Sequence, residues 1–282
     1  MISKVPIIEQ CTVSNSFHKE IMVEDLAGYL VRNKNLVFPH RHNFYHFVLF
    51  TKGSGFHVID FQRFDVCPGQ IYFMIPGQIH SWEFEGEMDG YIVNFDKDLF
   101  KNLLLRPDYL SNFSFFSGLV RDEVVQVDSS KLEAVIAVLE RMRQQVDDRD
   151  FSSISLLYLF HLLEGKREGS IANEANVYNH TLLRNFLALI ELNYKKLRLP
   201  KEYASLLYIT PNHLNALCKE LLGESAGEII RNRIVLEAKR LLVIRDFSIA
   251  EIAYELNFSD NSYFTKFFKK IEGVTPEEFR KL

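Results

Sequence analysis

The segment "SIAEIAYELNFSDNSYFTKFFKKIEG", residues 248–273, decides how the C-terminal third of this chain is read. Ser248 with Glu251 forms a capping box: the hydroxyl accepts from the amide three residues on, and the carboxylate reaches back to the amide of the cap. A helix therefore opens there. Gly273 sits where a second helix should stop, because glycine takes the left-handed conformation of a helix end without strain. Ala253 and Leu256, then Phe264, Phe267 and Ile271, give each helix one apolar stripe and leave its other face polar. The segment thus reads as two short helices joined by a tight turn, with Phe264, Phe267 and Phe268 as core.

Upstream, the same unit occurs a second time. Ala204, Leu207 and Ile209 recur as Ala253, Leu256 and Phe258, 49 residues later. The offset then becomes 50, pairing Leu214, Leu217, Lys219, Leu221, Gly223 and Ser225 with Phe264, Phe267, Lys269, Ile271, Gly273 and Thr275. Thr210 followed by Pro211 supplies an N-cap with proline at the first helical position. Each unit has helix-turn-helix patterning, and residues 225–244 have the length of one helix joining the two. Two rigidly linked units can place recognition helices in successive major grooves, about 34 Å apart on one face of B-DNA.

Residues 233–281 resemble the DNA-binding domain of the AraC/XylS family of bacterial transcription regulators, and the first unit extends the resemblance back to about His180. By position, the resemblance puts the base-reading face on Asn212, Asn215 and Ala216 of the first unit and on Asn261, Ser262, Thr265 and Lys266 of the second. The chemistry fits in part. Asn can bond an adenine edge, Thr can combine a hydroxyl bond with a methyl contact to thymine, and Lys can reach guanine. Ala216 stands where the family often has arginine and offers only an apolar contact. Lys219, Lys269 and Lys270 are assigned to phosphates, which supply affinity without sequence information. Arg233 is read as a partner in an internal ion pair.

Residues 38–95 carry "FYHFVLFTKG", "GFHVIDF", "QIYFMIPG" and "GYIVNF", runs rich in Phe, Tyr, Val and Ile between Gly and Pro, which predict short strands in a sandwich or barrel. After Asp128 the apolar period lengthens and predicts helices near 131–146 and 152–165. The second carries Ile154, Leu156, Leu157, Leu159, Phe160, Leu162 and Leu163, more apolar surface than packing on one small barrel requires, so a homodimer through this helix is expected. The polar stretch 165–179 has linker composition. The expected fold is α+β: residues 1–164 form a cupin-like β-barrel with two following helices, for effector binding and dimerisation. After the linker, residues 180–282 form an all-α DNA-binding domain of two helix-turn-helix units.

"PHRHNFYH", residues 39–46, adds a second motif. His40-x-His42, His46 and Gly53, followed by Gly69, Gly77 and His80, resemble the two cupin motifs, with His46 in the usual glutamate position and Phe84 where asparagine is usual. A strand puts His40 and His42 on one face, and imidazole is a common transition-metal ligand. Two readings are open: a cupin metalloenzyme carrying a DNA-binding domain, or an effector pocket formed by His40, His42, Tyr45, His46, Phe56, Tyr72, His80 and Trp82, whose aromatic residues suit an organic ligand. Attachment to a regulator's DNA-binding module favours sensing. No catalytic residue, metal or cofactor is assigned.

Bulk properties agree. The chain has 282 residues, 47% hydrophobic and 25% charged, enough for two domains with proper cores. Its net charge of −4 is uneven: residues 1–179 hold 17 Lys and Arg against 24 Asp and Glu, residues 180–282 hold 16 against 13. A mildly basic C-terminal half is compatible with nucleic acid. Three scattered cysteines, Cys11, Cys67 and Cys218, argue against a disulfide framework and for a reducing cytoplasm. No signal peptide or membrane span is expected. The expected partners are double-stranded promoter DNA, a small-molecule effector, a second copy of the chain and RNA polymerase, and the expected sign of regulation is activation.

Overall fold

Alternation across residues 45–59 sets the N-terminal architecture, since a strand with apolar side chains on both faces must be covered on both. The computed structural model describes residues 7–8, 20–33, 38–100, 103–104, 109–164, 174–244 and 247–281. Cys11 and the linker positions 165–173 lie outside the described residues. The chain divides into two compact units between positions 169 and 170.

The first unit contains β1 (Ile7–Ile8), β2 (Ile21–Asp25), α1 (Leu26–Arg32), β3 (His40–His42), β4 (Tyr45–Ile59), β5 (Gln62–Asp65), β6 (Gln70–Met74), β7 (Ile79–Phe95), β8 (Val124–Gln126), α2 (Ser129–Gln144) and α3 (Arg149–Glu164). The ladder runs β1-β3-β7-β4-β6-β8, with β2 also on β7 and β5 also on β4. All pairings are antiparallel except β1 with β3.

The two faces of this sheet build two cores. Phe47, Leu49, Phe73, Val93 and Phe95 face α2 and α3, where Val135, Leu139, Met142, Leu156, Leu159 and Phe160 complete one cluster. Val48, Phe50, Tyr72, Trp82 and Ile92 line the other face, which α1 closes with Leu26 and Tyr29. In β4 the register shifts between Phe50 and Lys52 and again between Lys52 and Ser54. Gly53 and Gly55 take φ of 115° and 120° there, and a Cβ on Gly55 would lie 2.3 Å from the Glu83 carbonyl oxygen. This irregularity reverses the phase of the strand: even-numbered residues face the inner core before it, and His57 and Ile59 face it afterwards.

Helices α2 and α3 begin two or three residues before the expected positions, α2 behind an Asp128 cap on the Ser130 amide at 2.8 Å. On α3, Leu156, Leu159 and Phe160 are core, while Ile154 (57% exposed) and Tyr158 (56%) project outward one turn apart.

The second unit is helical: α4 (Glu174–Asn193), α5 (Pro200–Leu206), α6 (Pro211–Leu222), α7 (Ala226–Val243), α8 (Ile249–Glu255), α9 (Asn261–Glu272) and α10 (Pro276–Phe279). Helix α4 takes in positions 174–179, which composition assigned to the linker; helix propensity is a weak prior that tertiary context overrides. The repeat appears in the backbone itself. Tyr208 and Asn257, 49 residues apart, both adopt left-handed φ, 56° and 58°, at the turn of their units. Gly223 and Gly273 close α6 and α9 with φ of 78° and 85°. Ser225 with Glu228, Ser248 with Glu251 and Thr275 with Glu278 form capping boxes.

Arg233 is held inside this unit, with Nε 2.7 Å from Glu191 and Nη1 3.1 Å from Glu237, beneath the Tyr194 ring. Arg198 ties the two repeats together by donating to the Asn257 carbonyl at 2.9 Å and stacking on Phe258 at 3.9 Å.

Candidate functional site

The inner face of the first unit gathers five buried imidazoles: His40, His42, His46, His57 and His80. Register explains the meeting, because His40 pairs with His80 across β3 and β7, and His57 pairs with Trp82 across β4 and β7. His42 Nε2 lies 2.7 Å from His80 Nε2, and His57 Nε2 lies 3.0 Å from His80 Nδ1. Trp82 donates its indole N–H to His57 Nε2 at 2.8 Å. His40 Nδ1 donates to the Phe38 carbonyl at 2.8 Å, and His46 Nδ1 to Asn94 Oδ1 at 2.5 Å. Burial holds all five below the ordinary histidine pKa, with His46 pushed down to about 3; neighbouring rings add to the effect at His42, His57 and His80. The cluster is neutral at pH 7.

Of the residues expected in this pocket, His40, His42, His46, Tyr72, His80 and Trp82 face it together. Tyr45 and Phe56 do not. Tyr45 stacks on Phe95 at 5.1 Å on the helix-covered face, as the alternation from His46 requires. Phe56 lies under Arg63 at 3.1 Å, displaced from the inner face by the phase reversal of β4. His57 takes the place intended for it. The signal for His57 was the pair Gly53 and Gly55, which marks a bulge.

Beside the cluster a cleft of about 550 Å³ opens between α1 and the paired strands β4 and β7. Leu30, Val31, Trp82, Phe84 and Met88 form its apolar wall, and Asn33, Lys52, Glu87 and Asp89 contribute polar groups. The volume lies within the range of about 300–1,000 Å³ typical of small-molecule sites. Trp82 belongs to both features: one part of it lines the cleft and its N–H holds His57.

In the second unit α6 and α9 occupy equivalent positions. Leu214 and Leu217 on α6, and Phe264 and Phe268 on α9, are buried, while Asn212, Ala216 and Lys219 and their counterparts Ser262, Lys266 and Lys269 are exposed, as are Asn261 and Lys270. Thr265 is half-buried at the edge of this face. Asn215 has another partner: its Oδ1 accepts from the Ala226 amide at 3.1 Å, helping to start α7. The faces differ in charge, since Lys219 is followed by Glu220 on α6, whereas α9 carries Lys266, Lys269 and Lys270. His213 and Tyr263, which sequence reasoning passed over, are also exposed on the two helices.

Comparison with known proteins falls on both units. Residues 25–161 match the AraC-like ligand binding domain, and residues 203–282 match a helix-turn-helix domain. The HTH-type transcriptional activator RhaS of Klebsiella pneumoniae (strain 342) is 24% identical over 255 residues, 86% of this chain and 87% of that protein. The transcriptional regulatory protein YesN of Bacillus subtilis (strain 168) is 38% identical over 93 residues, 32% of this chain and 25% of that one. The structure of ToxT from Vibrio cholerae O395 aligns with a TM-score of 0.41 at 12% identity, covering 93% of this chain and 97% of that one.

Proposed function

Because the chain belongs to the AraC family of DNA-binding transcription regulators, a non-enzymatic family, we propose that it is an effector-responsive activator in which the first unit senses a small molecule and the second reads promoter DNA. The metalloenzyme alternative falls with that membership. The observation that carries the DNA-reading half is the division of α9: Phe264 and Phe268 anchor it, and Ser262, Lys266, Lys269 and Lys270 stand free along its outer face. Lys266 and Thr265 read bases, while Lys269 and Lys270 hold phosphates. On α6, Asn212 and Ala216 give weaker base contacts and Lys219 a phosphate contact. Activation rather than repression is supported by the naming of the RhaS relatives as activators.

The effector enters the cleft walled by Trp82, Phe84 and Met88, and its chemistry is that of a small, partly apolar molecule with a polar end. The regulator acts in the cytoplasm as a homodimer through the outward face of α3, and engages RNA polymerase once on its promoter. Among the described residues no helix is long and apolar enough to cross a membrane. Selection from a random duplex pool with the full chain tests the DNA reading: a defined site is enriched, and Lys266→Ala relaxes one base position in it. A thermal-shift screen tests the sensing half, because a ligand that binds only the folded state must raise its stability.

A further inference from the structure

The histidine cluster has a hydrogen-bond logic that no step of effector reading or DNA reading uses. An indole N–H can only donate, so the 2.8 Å contact from Trp82 makes His57 Nε2 an acceptor. The one lone pair of His57 Nε2 is shared with His80 Nδ1 at 3.0 Å, a contact in which only His80 can be the donor, so the His80 proton sits on Nδ1 and His80 Nε2 is an unprotonated acceptor. A carbonyl can only accept, so the Phe38 oxygen places the His40 proton on Nδ1 and leaves His40 Nε2 bare too. Asn94 Oδ1 does the same for His46. His40 Nε2 and His46 Nε2 are buried and have no hydrogen-bond partner among the described residues. His42 Nε2 supplies the single proton between itself and His80 Nε2, and His42 Nδ1 is a buried atom without a partner, to which that proton can move on the same ring.

Buried lone pairs without a partner are costly unless a cation or a donor stands among them. One atom from each of His40, His42 and His80 lies within 4.8 Å of the others, and the group includes no carboxylate. A carbonyl partner on Nδ1, as His40 has, is an arrangement that fixes the tautomer of metal-bound histidines. We propose that His40, His42 and His80, with His46 beside them, form a divalent transition-metal site in the sensing unit, and that His57 and Trp82 connect it to the cleft wall. A neutral, all-nitrogen donor set selects zinc, cobalt, nickel or copper and discriminates against magnesium and calcium, which require oxygen ligands. Since Trp82 lines the cleft, a change in His80 on metal binding reaches that wall through two hydrogen bonds.

The test uses the untagged full-length chain, stripped with a chelator and then titrated with Co²⁺ without DNA, so its failure leaves the regulator reading intact. Trp82 is the only tryptophan of the chain, and its emission reports on the site directly. The expected result is saturation at one Co²⁺ per chain, with visible d–d absorption, quenching of the Trp82 emission, displacement by Zn²⁺ and no response to Mg²⁺. His40→Ala and His80→Ala abolish the response; where either fails to fold by circular dichroism, His40→Gln and His80→Gln replace them. His57→Phe removes the group that orients His80, together with the acceptor of the Trp82 N–H, and weakens affinity about 10- to 100-fold while keeping the stoichiometry. A wild-type chain with no saturable Co²⁺ spectrum overturns the proposal, as does full binding by the folded His40 and His80 variants.

Discussion

Asn215 accepts a hydrogen bond from the amide of Ala226 at 3.1 Å, and the residue that corresponds to Ala226 in the second unit, Pro276, has no amide hydrogen to give. The two recognition helices are therefore unequal at one matched position. Asn215 is committed to the start of α7, whereas Thr265 meets no such demand. Asn215→Ala is expected to lower the stability of the helical unit by about 0.5–1.5 kcal/mol, the net worth of one hydrogen bond, and to leave base preference intact. Thr265→Ala and Lys266→Ala should instead keep stability and lose about 1–3 kcal/mol of discrimination at individual bases. Denaturant unfolding and competition binding with single-base operator variants separate the two outcomes.

Glu237 links the acid stability of the helical unit to its ion pairs. Burial alone would raise its pKa, but the charges of Arg240 and Arg233 outweigh burial and hold the carboxyl below its ordinary value. A carboxyl depressed in the folded state binds protons less readily than in the unfolded chain, so its contribution is complete above the ordinary value of about 4.3 and is lost as pH falls below it. The thermal stability of the wild type should thus fall from pH 5 downward. Glu237→Gln should cost about 1.5–3 kcal/mol at pH 7 and flatten that acid limb. Identical pH profiles for the two proteins would remove Glu237 from this role.

The helical half was legible because its signals are local: Thr210, Ser225 and Ser248 each cap a helix where the sequence expects one, while the short helix behind Thr275 is an addition of the structure. Arg233, expected in an internal ion pair, makes two. The sheet was less legible. Tyr45 lies on the opposite face from His46 by simple alternation, and its aromatic character carries no signal of which face it takes. Phe56 and His57 exchanged faces because the register shifts in β4 reverse the phase, an effect of strand pairing that hydropathy does not carry. The division of α3 into a core stripe and an outward stripe was likewise hidden, since apolar residues occupy both.

That division sharpens the dimer expectation. Leu159 is fully buried in the core of its own unit, so Leu159→Asp should unfold that unit instead of merely separating subunits. Ile154 and Tyr158 are the outward pair. In sedimentation of the full chain at micromolar concentration, Ile154→Asp or Tyr158→Asp should yield a folded monomer from a wild-type dimer. A wild-type monomer, or variants that remain dimers, would place the interface elsewhere or remove it.

The most direct measurement of the central claim is the salt dependence of operator binding by the full chain. Each phosphate neutralised by a lysine releases counterions, so the logarithm of affinity should fall linearly with the logarithm of salt concentration. Lys269→Ala should weaken binding to all sequences alike and reduce the slope by about 1, while Lys266→Ala changes the ranking of sequences. If the wild-type chain shows no salt-sensitive binding to any duplex recovered from a random pool, or if Lys269→Ala leaves slope and affinity unchanged, the assignment of α9 as the DNA-reading helix is contradicted.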